Sequence, residues 1–180
     1  ARWSLMMPAS TSLSKPPVYL ATLEQGFTVA SIVQDDALQH KLADGEIWSP
    51  ENYDKQSHGE VPLVTALANS YNQATVSLAL QVGPAKVADV MKRLGAPRPI
   101  DPVPALALGS VDLSPFEVAQ MYQTIASEGF NTHLRSVRSV LNADGEPLQR
   151  YDLEVQQRFA PADIYVLTHA MQEVIRSGTA

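Results

Sequence analysis

Ser12 and Lys15 stand three residues apart in the run Ser12-Leu13-Ser14-Lys15. On a helix that spacing sets a hydroxyl and an amine on one face, within reach of each other. A serine becomes a nucleophile when a neighbouring base takes its proton. Lysine serves as that base when burial or nearby positive charge lowers its pKa, so that a useful fraction is neutral. A helix N-terminus beside the pair favours negative charge developing on or near the serine. No other serine has a lysine three residues on, so the register has no competitor. A second polar cluster, Ser70-Tyr71-Asn72, brings a further hydroxyl and a carboxamide, although Ser and Asn between helices usually satisfy only the backbone. The order and the context of the two motifs decide whether they do more.

The elements that must position these residues can be read from periodicity and punctuation. Ser12 to about Gln25 reads as a helix that turns Val18, Leu20 and Leu23 inward. Pro16 and Pro17 fit only near its start, where the first N–H groups have no intrahelical partner. That placement puts Ser12 and Lys15 at the helix mouth. Phe27 to Glu60 is polar, with turn signals at Asp44-Gly45 and Ser49-Pro50, and reads as short strands and loops. Leu63 to Leu80 reads as two helices meeting at the Ser70-Tyr71-Asn72 loop. Val87, Val90, Met91 and Leu94 mark a helix stopped by Gly95. Ser114-Pro115-Phe116-Glu117 is a capping box that opens a helix ending near Gly129.

Val137 to Leu141 and Leu148 to Tyr151, joined through Asp144-Gly145, read as a hairpin, with Arg135 and Arg138 on an exposed strand face. A last helix from about Ala162 to Arg176 carries Ile164, Leu167, Met171, Val174 and Ile175 on its apolar side, with Gly178 as its cap. The fold class is α+β, mostly helical, with a few strands.

Composition narrows the chemistry. With 180 residues, 45% hydrophobic and 18% charged, the chain suits one globular domain with a real core. A net charge of −6 without a run of Lys or Arg argues against nucleic-acid binding. Without cysteine there is no disulfide or thiolate metal site, and His40, His58, His133 and His169 lack the spacing of a helical metal site. No cofactor is implied. The apolar runs, such as Val103 to Leu108, fall short of the roughly 18 to 20 residues that span a bilayer. Trp48 and Tyr53 read first as half-buried packing and second as walls of a cleft. His169 reads as solvated or partly buried.

The two motifs occur in the order of the penicillin-recognising serine transferases, S-x-x-K and then S-x-N. Ser12-Leu13-Ser14-Lys15-Pro16 with Tyr19 resembles the nucleophile helix of class A penicillin-binding proteins. The segment from Trp48 to Tyr53 resembles one these proteins carry before the second motif. Gly59, Val61, Leu63, Ala66, Leu67, Ser70 and Asn72 resemble the family's run into S-x-N, and Ala107 to Gly109, Ser114, Pro115, Glu117, Ala119 and Gly129 resemble its following helix. The resemblance runs from Ser12 to Ala180 and is strongest toward the 1B branch of the bifunctional enzymes.

It implies the penicillin-binding transpeptidase fold and a D,D-transpeptidase that crosslinks peptidoglycan stem peptides ending in D-Ala-D-Ala and is acylated by β-lactams. It also implies roles: Ser12 the acylated nucleophile, Lys15 its proton acceptor, Ser70 a shuttle toward the leaving amine, Asn72 a ligand for the substrate amide. The family further implies a membrane-anchored parent at the periplasmic face of the inner membrane, fused to a glycosyltransferase domain.

Two departures stand against the pattern. Thr11 occupies the position before the nucleophile where the family usually has glycine, which bears on the backbone placement of the oxyanion hole. No Lys-Thr-Gly, Lys-Ser-Gly or His-Thr-Gly occurs in the chain. In the family that strand walls the cleft and gives the second oxyanion donor, and removing one such donor typically costs about 100- to 1000-fold in rate. Residues 1–180 are therefore expected to be a partial transpeptidase domain, truncated at both ends, lacking the C-terminal sheet strands and inactive alone, with apolar faces left open. A penicillin-sensing domain that does not turn over and a serine β-lactamase are the alternatives. A non-enzymatic structural module is a further one for the 180 residues alone.

Overall fold

The computed structural model describes residues 13–42 and 45–179. In chain order its elements are α1 (Lys15–Leu23), β1 (Ile32–Asp35), β2 (His40–Lys41), β3 (Ile47–Trp48), β4 (Gly59–Pro62), α2 (Leu63–Ala68), α3 (Asn72–Val82), α4 (Pro84–Leu94), a 3-10 helix at Pro104–Leu108, α5 (Pro115–Ala126), β5 (Phe130–Asn131), β6 (Ser139–Leu141), β7 (Pro147–Arg150), β8 (Gln156–Gln157) and α6 (Pro161–Ser177). The mostly helical α+β character expected from periodicity is what forms. Among the described residues the strands make only two-stranded antiparallel pairs: β1 with β4, β2 with β3, β5 with β8 and β6 with β7.

The centre is α1, buried along its whole length. Pro16 and Pro17 fill its first turn, where a missing N–H costs nothing. The helix begins at Lys15 with Ser14 in the cap position, and Ser12 lies outside the described residues. A helix buried on every side needs partners on every side, and α3, α4 and α6 pack around it. Its polar groups find partners inside: Thr22 Oγ1 donates to Val18 O (2.9 Å), and Tyr19 Oη lies 3.4 Å from Thr75 Oγ1.

The helix ends follow their chemistry. Gly95 closes α4 at φ +118°, and a Cβ there would press on Gln120 and Asn131, so the stop signal is also a packing requirement. At the start of α5, Ser114 N–H donates to Glu117 Oε2 (2.7 Å), Glu117 N–H donates to Ser114 Oγ (3.3 Å), and Arg98 binds the same carboxylate through Nε (2.8 Å) and Nη2 (3.0 Å). Ser114→Ala removes the cap and is expected to lower unfolding free energy by about 1 kcal/mol. Urea unfolding checks this, and a midpoint equal to the wild type would contradict it.

Four details differ from the sequence expectation. Arg135 and Arg138 are exposed but lie in irregular chain ahead of β6, not on a strand face. In the hairpin turn Gly145 alone takes a positive φ, +83°, while Asn142 Oδ1 accepts from Asp144 N–H (3.0 Å) and Glu146 N–H (2.8 Å) and holds the loop without a second left-handed residue. Ile175 is 73% exposed and borders a hollow in front of Lys15. Gly178 follows α6 in an extended conformation rather than a left-handed one. Its lack of a side chain is needed because a Cβ would collide with the Ala68 carbonyl oxygen, to which Thr179 N–H donates (3.2 Å).

Candidate active site

Lys15, the first residue of α1, is 1% exposed. Its Nζ donates to Ser70 Oγ (2.8 Å), to Asn72 Oδ1 (2.8 Å) and to the Ser70 carbonyl oxygen. Three acceptors match the three N–H bonds of an ammonium. Burial strips away the water that would favour the charged form and brings the Lys15 pKa down to about 8, against a smaller upward pull from Asp35. At pH 7 about a tenth of such a group is neutral amine, enough to act as a base. Of the four residues singled out in the sequence, Lys15, Ser70 and Asn72 are brought into contact. Ser12 lies outside the described residues.

The Ser70 loop is built by the end of one helix and the start of the next. At the end of α2, Ser70 N–H donates to Leu67 O and Tyr71 N–H to Ala66 O, both at 3.0 Å, with Ser70 at φ +57°. This is the Schellman closure, in which the left-handed position is usually glycine. Here a serine holds it, and so presents both its carbonyl and its hydroxyl to Lys15.

The start of α3 is capped from a distance. Tyr71 precedes the helix and its side chain makes no cap bond, so the first N–H groups would be orphaned. Asn52 Oδ1 accepts from Asn72 N–H (2.7 Å) and Gln73 N–H (3.1 Å), and Asp35 Oδ1 accepts from Ala74 N–H (2.9 Å). A carboxylate here also meets the positive end of the helix dipole. The Asn72 side chain is held at both ends, since its Nδ2 donates to Glu51 O (2.8 Å) while its Oδ1 receives the lysine.

Asp35 is fully buried. Its Oδ2 accepts from Asn52 Nδ2 (2.7 Å) and His58 N–H (3.2 Å), and lies 2.7 Å from His58 Nδ1. His58 Nε2 is 3.1 Å from Asp54 Oδ2, and the imidazole stacks on Tyr71 with centroids 4.0 Å apart. The sequence places Asp35 in a polar stretch of short strands and loops, offers His58 as one of four scattered histidines and Asn52 as part of the Trp48–Tyr53 segment, and assigns none of the three a role at the site. One signal was available: in β1 the residues alternate, so Asp35 shares the buried face with Val33, and an acid on an inward position must have partners.

Two open hollows meet at Ser70 and Thr179. One, of about 560 Å³, is bordered by Asn52, Tyr53, Asn69, Ser70, Asn72 and Thr179. The other, of about 180 Å³, is bordered by Lys15, Ser70, Tyr122, Met171, Ile175 and Thr179. Tyr53 is fully exposed and forms part of the groove wall, so for this aromatic the cleft expectation is the one met. Trp48 instead packs against the core. Tyr122 Oη donates to Leu13 O (3.2 Å), and burial pushes its phenol up to about 12, so it stays neutral beside Lys15. Among the described residues no group of three or more His, Cys, Asp or Glu is placed to hold a metal ion, and no helix is long and apolar enough to cross a membrane.

Comparison with known proteins finds penicillin-binding proteins by sequence and by fold. The chain is 40% identical over 171 residues to penicillin-binding protein 1B of Vibrio cholerae and 36% identical over 173 residues to penicillin-binding protein 1B of Escherichia coli, each match covering 93% of the chain. It spans only 22% and 20% of those relatives' lengths. Among solved structures, penicillin-binding protein 1A of Haemophilus influenzae shares the fold with a TM-score of 0.86 at 20% identity, covering 92% of this chain and 29% of that one. The penicillin G acyl-enzyme complex of penicillin-binding protein A from M. tuberculosis does so with a TM-score of 0.82 at 21% identity, covering 94% and 44%. The family model for the penicillin binding protein transpeptidase domain matches residues 2–101, the stretch that holds both motifs, the Asp35 strand and the remote cap of α3. The chain belongs to the penicillin-binding protein transpeptidase family.

Proposed function

We propose that the 180 residues are part of a D,D-transpeptidase that crosslinks peptidoglycan stem peptides ending in D-Ala-D-Ala and is acylated by β-lactams at Ser12. The observation that carries this is the buried Lys15 amine, lowered to about 8 and joined to Ser70 Oγ and Asn72 Oδ1. In the neutral state its lone pair takes the Ser12 proton as Ser12 Oγ attacks the carbonyl of the penultimate D-Ala. The proton then passes through Ser70 to the departing D-Ala nitrogen, leaving an acyl-serine ester. An acceptor amine attacks the ester, the proton returns by the same relay, and a new amide forms with Ser12 restored. A β-lactam enters the same first step, but its leaving nitrogen stays tethered to the acyl group. Asn72, anchored at both ends of its side chain, is the proposed ligand for the substrate amide.

The relatives' greater length supports a larger protein around this piece, and the class A resemblance supports a membrane anchor, a glycosyltransferase domain and a location at the periplasmic face of the inner membrane. With no Lys-Thr-Gly in the sequence, the 180 residues alone are expected not to turn over. The test is intact-mass analysis of the full-length protein after incubation with a penicillin, followed by fragmentation of the labelled peptide. One penicillin per chain, mapped to Ser12, is expected. No adduct, or an adduct on another serine, overturns the assignment.

A further inference from the structure

We propose that Asp35 is a positioning residue of the acylation site, fixing Asn72 against Lys15 by capping α3 directly and through Asn52. The inference rests on the proposed function above, because it takes Lys15 and Asn72 as parts of the acylation machinery. Asp35 acts through what it holds: Asn52, His58 and the Ala74 N–H.

The geometry is a chain of obligatory bonds. Asn72 is the first residue of α3, and its place depends on how that helix end is held. Without a capping side chain on Tyr71, the N–H groups of Asn72, Gln73 and Ala74 find their acceptors, among the described residues, in Asn52 Oδ1 and Asp35 Oδ1. Asn52 can offer its oxygen to two of them because its amide nitrogen is engaged on the far side by Asp35 Oδ2 and Gln56 O (2.8 Å). A carboxamide at position 35 would present one acceptor where the carboxylate presents two. It would turn an NH2 group toward either the Ala74 N–H or the donors of Asn52 and His58, leaving a buried donor facing a donor. Pairing of β1 with β4 fixes Asp35 opposite Gly59, next to His58. The carboxylate is thus held by a strand pair and not by the loop it organises.

Asp35 also acts at longer range as the negative charge that supports the Lys15 ammonium. The other ionisable groups around this pair are Tyr19 from α1, Tyr122 from α5, His58 and Asp54 from the chain before β4, and Tyr71 from the loop between α2 and α3. These groups give the proposal a signature that simple loss of stability does not share.

The experiment measures the rate of acylation of the full-length protein by a fluorescent penicillin from about pH 7 to 9.5, above the ordinary histidine range. Asp35→Asn is expected to slow acylation at the high-pH plateau by about 5- to 100-fold. It also removes the charge that favours the ammonium, so the acid limb of its profile moves to lower pH. Asn52→Ala takes away the acceptor for two α3 amides and leaves the carboxylate, so it is expected to slow acylation with the acid limb in place. Amide hydrogen exchange at Asn72, Gln73 and Ala74 is expected to quicken in Asp35→Asn, and at Asn72 and Gln73 in Asn52→Ala.

Wild-type rates in Asp35→Asn overturn the proposal, as does a uniform loss at every pH with an unmoved limb. If Asp35→Asn does not fold, wild-type rates in Asn52→Ala overturn it. A wild-type protein that forms no adduct brings down the proposed function and this inference with it. A wild-type protein that acylates at Ser12 beside an indifferent Asp35→Asn brings down the inference alone.

Discussion

Replacing Lys15 with methionine is expected to slow acylation by a penicillin by about 10²- to 10⁴-fold, the range contributed by a positioned general base. Methionine matches the length and fills the same buried space, so α1 keeps its packing while the amine and its three hydrogen bonds are lost. On the proposed mechanism, Ser12 would then lack the amine that takes its proton. Stopped-flow or fluorescent-penicillin kinetics on the full-length protein read the effect directly. A Lys15→Met protein that acylates within about tenfold of the wild type would show that proton transfer runs through another group.

The pH dependence carries the same prediction in a second form. With Lys15 lowered to about 8, the wild-type acylation rate is expected to climb with pH up to that value and then level off, and Lys15→Met is expected to lose that limb. Stability follows with the opposite emphasis. The unfolded chain keeps lysine protonated up to its ordinary value of 10.5 while the folded chain releases the proton near 8. Between those values the unfolded state binds more protons, so the Lys15 contribution to stability rises with pH. Below 8 the full cost of burying the charge is present. Tyr19, whose phenol burial pushes up, works the other way at the alkaline end. The difference between wild type and Lys15→Met in urea unfolding at a series of pH values isolates the lysine part.

The second large effect is structural. Leu167→Ala is expected to lower the unfolding free energy by about 2 to 5 kcal/mol, the usual range for truncating a buried leucine where the surroundings cannot collapse. Leu167 is fully buried on α6, which packs on α1 and α2. Those two helices carry Lys15 and lead into Ser70, so α6 is the backing against which the site is assembled. Tyr165, on the same helix and 76% exposed, is the control, and its change to alanine should stay within about 0.5 kcal/mol. Equal urea midpoints for the two variants would show that α6 is not part of the cooperative core.

Much of this was readable from the chain because local rules and tertiary demands coincide. Pro16 and Pro17 mark a helix start, Ser114 and Glu117 close the capping box, Gly95 stops α4, and the α2–α3 junction falls where Ser70 and Asn72 weaken the helix. Lys15, Ser70 and Asn72 were legible through the motif pair, although their contact spans more than fifty residues. The remote cap was not legible. Asp35, Asn52 and His58 sit in a polar stretch without sustained periodicity, and only the β1–β4 register and the turn before it bring them to the start of α3. Nor could Gly178 be understood from its sequence, since its role depends on Ala68, which approaches it from a different helix.

Ser70 carries a last consequence. A residue other than glycine in the left-handed region costs about 1 to 2 kcal/mol, and Ser70 sits there at φ +57°. Glycine would relax the backbone but delete the hydroxyl that Lys15 touches. Threonine would keep a hydroxyl but set a β-branched side chain on a backbone that resists it. Backbone shape and chemistry therefore select along different axes at one codon, and their overlap is close to a single amino acid. If β-lactams act at this groove as proposed, selective pressure from them leaves few single steps open at Ser70. Adaptive change should accumulate instead on the rim, at positions such as Tyr53, where neither constraint applies.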